Sequence, residues 1–298
     1  MELTWLMKLR IAAAAVIGVV LVGIICWPSQ SPPDPFGSLV FKEIGTSGAV
    51  TLLVMAFLTG LISYFVTWPY GREIGILAVP FGLCLWAYRA GTTGGLLQLN
   101  PGLTQRMEVL TAMRTEPLFW LLVIACGFAG VLSGQRIVSR FRKQQNLEKN
   151  VFTPTKFGYV IISVVLSAVV VIICLKMFAR DVGIPNSNLE TVSVQPAIRQ
   201  NIFAILMSFG IAAFIIKLVF NLSYIWPTLS CVIVMAYAAS TYMNGRVIES
   251  FVDNYPANFF PNVIVSILPV QMVTFGAIGS VIGYWMAIRY DYWHKHEL

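Results

Sequence analysis

Residues 157–176 read FGYVIISVVLSAVVVIICLK, an unbroken run without a charge until Lys176 closes it. A helix needs about 20 predominantly apolar residues to cross a hydrocarbon core of roughly 30 Å, and this stretch has that length. It does not alternate between apolar and polar residues, as the strands of a membrane barrel would. Seven further segments of the same kind lie near 9–27, 48–67, 73–89, 117–136, 201–220, 224–243 and 263–288. The pattern predicts an all-α polytopic membrane bundle of about eight transmembrane helices.

Composition points the same way. Of 298 residues, 57% are hydrophobic and 11% are charged, with a mean hydropathy of +0.77. A soluble domain carries about 25% charged residues, so this chain lacks the charge to coat itself in water. A cytosolic enzyme, a secreted disulfide scaffold and a disordered protein are excluded. Lys8 and Arg10 precede the first span in the manner of a secretion leader. Its apolar run is too long for one, however, and it ends in Cys26-Trp27-Pro28 with no small-residue cleavage site, so it is expected to stay as an anchor. The closing Lys295-His296-Glu297-Leu298 faintly resembles a luminal retrieval signal, but an even span count puts it on the N-terminal side.

The side of each end follows from lysine and arginine. With the N-terminus in the cytoplasm, twelve basic and five acidic residues fall inside, and eight of each fall outside. The whole net charge of +7 then sits on one face. Both termini are therefore expected in the cytoplasm, with a bacterial plasma membrane as the default location. Tryptophan prefers the headgroup level. Trp5, Trp68, Trp226, Trp285 and Trp293 fall at inner span ends, and Trp27, Trp86 and Trp120 at outer ones.

An internal repeat runs through the same segments. Gly127, Gly130 and Gly134 in the fourth span recur as Gly276, Gly279 and Gly283 in the eighth, at a constant offset of 149. Ile24-Ile25-Cys26 recurs as Ile172-Ile173-Cys174, Gly60 as Gly210, and Trp68-Pro69 as Trp226-Pro227 with an insertion. Together these suggest a tandem duplication of a four-helix unit: a first repeat over 1–137, a basic cytoplasmic linker over 138–156 and a second repeat over 157–298. Four spans is an even number, so the halves would be parallel and related by a pseudo-two-fold axis along the membrane normal. Each glycine triad lies on one helix face, where small residues let helices approach closely. The plainer reading has each triad packing against a helix of its own half; the sharper one makes the triads a central seam.

The outer connections, 28–47, 90–116, 180–200 and 244–262, are the longer ones. Leu103, Met107, Leu110 and Met113 recur at helical spacing, with Arg106 and Arg114 elsewhere, as in a short amphipathic helix lying in the interface. Arg89, Arg106 and Arg114 would then meet lipid headgroups.

The chemistry available is limited. Histidine occurs only at 294 and 296, which excludes bis-histidine haem ligation within the spans. The five cysteines have no metal-motif spacing, and no zinc cluster is apparent. Cys26 and Cys174 are repeat-equivalent, but buried cysteine usually acts as a small apolar residue. No cofactor is implied. No Asp or Glu falls at mid-bilayer, and Glu73 and Glu116 are expected at helix starts, where a carboxylate complements the dipole. Pro80, Pro269 and the neighbouring Gln271 are candidates for a midplane site on broken helices, although ordinary kinks explain the prolines too. The cytoplasmic basic residues fit the orientation rule, and a nucleic-acid partner is not expected.

Three functions remain. The leading one is a non-catalytic subunit acting as scaffold or accessory component beside other membrane proteins. The alternatives are a small pseudo-symmetric transporter or facilitator, and an enzyme acting on a lipid-linked substrate at the outer interface.

Overall fold

The computed structural model describes residues 5–29, 44–141, 154–185, 191–254 and 259–296. Outside them lie residues 30–43 of the first outer connection, most of the basic linker (142–153), Tyr255-Pro256 and Glu297-Leu298. Helices dominate: α1 (Trp5–Gly18), α2 (Thr46–Val66), α3 (Gly71–Gly75), α4 (Ala78–Arg89), α5 (Thr93–Leu99), α6 (Leu103–Phe141), α7 (Pro154–Phe178), α8 (Ile198–Phe220), α9 (Ile225–Tyr242), α10 (Gly245–Asn254) and α11 (Pro269–His296). Seven helices are long and apolar enough to cross a membrane, or eight if the bent pair Gly71–Arg89 and Thr93–Leu99 counts as one span. The chain is a polytopic helical membrane protein.

Two compact units emerge. One holds described residues 5–29, 44–86, 121–141 and 154–161; the other holds 87–120, 162–185, 191–254 and 259–296. In the first, α1 runs on into a π-helical stretch, Val19–Ile25. A π-turn leaves carbonyls off the usual ladder, and the indole N–H of Trp86 donates to two of them, Val22 O at 2.9 Å and Gly23 O at 3.2 Å. Trp86 and, in the other unit, Trp120 are fully buried. Neither is the headgroup anchor expected of it, because each indole finds its partner inside the protein. The glycine face of α6 lies on α2. A Cβ at Gly130 would run into the Phe57 carbonyl, and one at Gly134 would stand 2.6 Å from the Tyr64 ring.

The third span is not one continuous helix. Pro80 has no N–H for the Ile76 carbonyl. The chain breaks between α3 and α4 there, and Leu77 N–H falls back on Ile74 O at 3.1 Å. The second break follows α4. Gly91 takes φ 78°, a left-handed conformation that only glycine adopts without strain. Thr92 then caps α5, its side chain accepting from Gly95 N–H at 3.1 Å.

In the second unit α11 packs along α8, and residues 263–281 are buried on every side. Gly279 stands against the Leu206 carbonyl and Gly283 against that of Gly210, while Gly276 faces the Phe209 ring. Two sequence expectations change here. Pro269 does not bend a helix: it occupies the first helical position of α11, where a missing N–H costs nothing. The residues expected as a separate interfacial helix form the first third of α6, a 39-residue helix that runs through Pro117. At 1.5 Å per residue it spans about 58 Å, well beyond a hydrocarbon core. Glu116 consequently lies inside a helix, buried, rather than at a helix start. The connections also carry an antiparallel sheet, ordered β1 (Gly183–Pro185), β2 (Thr191–Val194), β3 (Phe259–Phe260), with Ser193 opposite both Gly183 and Phe260.

Candidate functional site

The second unit gathers buried polar groups where its helices break. The start of α11 shows why. Leu268 precedes Pro269, so Gln271 stands at the third helical position and its Oε1 accepts from the Leu268 N–H at 3.2 Å. That is the return half of a capping box. Its Nε2 donates to Ala87 O at 3.1 Å, a carbonyl near the end of α4 that has no next helical turn to serve it. Thr93 Oγ1 donates to Ser266 O at 2.8 Å, and Gln195 Oε1 accepts from Gly94 N–H at 3.0 Å. Irregular backbone inside an apolar protein must have its polar groups satisfied, and Gln195 and Gln271, from distant sequence, do this around α5 together with Thr93 of α5 itself.

Beside this network, the chain turns from α5 into α6. Asn100 Nδ2 donates to Leu96 O at 2.9 Å, closing α5. Arg106 Nε donates to Asn100 O at 3.2 Å. Arg106, Leu110, Met113, Glu116 and Trp120 form the buried stripe of this part of α6, and Trp120 Nε1 donates to Glu116 Oε1 at 2.9 Å. The helix is therefore turned from the sequence expectation. Leu103 is exposed, whereas Arg106 is only 5% exposed. Arg89 and Arg114 are exposed.

Tyr242 ends α9 fully buried. Its ring stacks on Phe251 of α10, with centroids 5.5 Å apart and planes 29° apart, and lies 6.3 Å from Phe260 of β3. Its hydroxyl lies beside the Arg106 guanidinium. Neither that hydroxyl nor Arg106 Nη1 has a hydrogen-bond partner among the described residues.

The expected site residues thus separate. Gly127, Gly130 and Gly134 meet α2, except that Gly127 also meets Val79, while Gly276, Gly279 and Gly283 meet α8. Pro80 sits at the first break of the third span. Gln271 joins the network around α5, its carbonyl and amide both engaged by backbone. Tyr242, Thr93 and Gln195 were not legible as site residues, since a tyrosine or threonine at a span end carries no spacing signal. The five cysteines form no disulfide, and no group of three His, Cys, Asp or Glu able to hold a metal exists among the described residues. No known protein family matches the chain, nor does any curated protein or solved structure.

Proposed function

We propose that the chain is a non-catalytic integral membrane subunit, a scaffold or accessory component of a larger membrane complex. The observation that carries this is the ordered layer built by the second unit's connections. The sheet, α5 and the turn Val263–Ser266 are tied to one another through Thr93–Ser266, Gly94–Gln195 and the β2–β3 pairing, and Phe251 of α10 and Phe260 of β3 both pack on the Tyr242 ring. Short turns would suffice to reverse the chain between spans; a layer with its own hydrogen bonds offers a fixed surface for a partner. Its rim mixes exposed Arg199, Arg246, Glu249 and Asp253 with exposed Val182 and Ile184. The glycine faces are occupied within their own units, which moves the partner surface to this layer. Gentle extraction from the native membrane followed by mass and composition analysis tests the proposal. Stoichiometric partners are expected, and a lone monomer or homo-oligomer overturns it.

The same proposal places the chain in a bacterial plasma membrane with both termini in the cytoplasm, and derives it from duplication of a four-helix unit. One contact supports the duplication beyond the glycine spacing. The Phe57 carbonyl meets Gly130 as the Leu206 carbonyl meets Gly279. Both members of the pair are offset by 149, so the match extends to which residue touches which.

The bent pair Gly71–Arg89 and Thr93–Leu99, turned by 52°, favours a second function, a transporter or facilitator, because broken spans line many transport paths. Liposomes containing the purified chain would leak an anion or small solute faster than empty ones. Equal leakage across a solute panel overturns it.

A further inference from the structure

The pairing of Arg106 with Tyr242 is incomplete as it stands. A charge taken out of water is retained in proteins when it is paired and hydrogen-bonded. Arg106 is 5% exposed, yet its Nη1 has no partner among the described residues, and the bond it makes to backbone runs from Nε to the Asn100 carbonyl. The carboxylate nearest along its own buried stripe is Glu116, ten residues further on and so about 15 Å up the helix, too far to neutralise it. The local field makes matters worse. Arg106 follows Leu103–Thr104–Gln105 in the first turn of α6, which carries no acidic residue. The N-terminus of a long helix is itself a positive end, where cations are disfavoured and anions stabilised.

We propose that Arg106 and Tyr242, at the N-terminal end of α6, form a binding site for one anionic group, a phosphate or a carboxylate. The guanidinium offers its unpartnered Nη1 for a charge-assisted hydrogen bond to an arriving oxygen. The Tyr242 hydroxyl hydrogen rotates about its C–O bond, so the group lying beside the guanidinium can donate to an arriving oxygen. The Phe251 and Phe260 rings hold that hydroxyl in place and keep its surroundings apolar, which strengthens an ionic contact. The anion has two sources with the same chemistry: the headgroup of an anionic lipid, or a soluble phosphate. This site stands apart from the scaffold proposal, and either can fail alone.

The test uses the full chain in neutral detergent, with the thermal unfolding midpoint followed while inorganic phosphate or phosphatidylglycerol is added. Chloride at equal ionic strength and phosphatidylcholine serve as controls. A saturable rise with phosphate or phosphatidylglycerol, absent from the controls, is expected. Phosphate alone sufficing identifies a soluble ligand; a response to phosphatidylglycerol only identifies a lipid. R106Q should abolish the rise, and Tyr242→Phe, which deletes one oxygen, should weaken apparent affinity about tenfold, the effect of losing a hydrogen bond to a charged group. No saturable rise with either probe overturns the proposal, as does a rise that R106Q leaves intact. If R106Q does not fold, Tyr242→Phe decides: a weakened response supports the site, and an unchanged one overturns it.

Discussion

Replacing Gly279 by alanine tests how closely α11 and α8 approach. An ideal Cβ built there lies 2.5 Å from the Leu206 carbonyl oxygen, where ordinary contact begins at 3.4 Å. The helices must therefore part by about 0.9 Å, or the carbonyl must tilt out of its own ladder. Inserting a methyl group into a packed interior costs about 1–3 kcal/mol. Alanine also favours the helix over glycine by about 1 kcal/mol, which would mask part of the loss. Gly158→Ala removes that ambiguity. Gly158 lies in helix α7 with nothing within 4 Å of where its methyl group would stand, so it takes the same propensity gain without a clash. The difference between the two variants should be about 1–3 kcal/mol in favour of Gly158→Ala. Titration of the purified protein from neutral detergent into dodecyl sulfate, read by tryptophan fluorescence, measures it. Equal stabilities would refute the close approach of the two helices. Gly130→Ala should show a loss of the same sign, since the Phe57 carbonyl stands even closer to its Cβ.

Gln271→Ala leaves both Ala87 O and Leu268 N–H without their side-chain partner, and about 1–3 kcal/mol for each buried group stranded is expected; the same titration reads this, and a variant as stable as the parent would contradict the bridging role. Thr93→Val keeps the side-chain shape but removes the bond to Ser266 O, for an expected loss of about 1 kcal/mol, with faster amide exchange in α5 as a second measure. For topology, single cysteines at 246 and 295 in a background with the five native cysteines replaced should respond oppositely to an impermeant maleimide on intact cells. Position 246 labels and position 295 does not; the reverse pattern would invert the orientation drawn from lysine and arginine.

Much of the helical plan was legible because lipid imposes a length and a composition on each span. The apolar run 157–176 falls within α7, and 201–220 within α8. The third span is harder. Pro80 announces a break, but the second break at Gly91 depends on Gln271 and Gln195, more than 100 residues away, arriving to satisfy the freed backbone. The stripe of α6 escapes a hydropathy reading for a related reason. Leu103, Met107, Leu110 and Met113 are apolar at helical spacing, yet burial follows Arg106, Leu110, Met113 and Glu116, because tertiary partners and not hydropathy chose the face. Pro269 shows the same limit: a proline starts or bends a helix, and the chain before it decides which.

By itself, the sequence determined that this is a helical membrane protein, roughly where its spans lie, and that two glycine triads must sit on helix faces. Those conclusions need only the period of the helix and the thickness of the hydrocarbon layer. The tertiary structure decided which helix each triad meets, that Gln271 serves the backbone, and that Arg106 turns inward beside Tyr242. Each of these is a pairing of groups far apart in the chain, set by which polar atoms are left unsatisfied once the helices pack, and no local pattern encodes that.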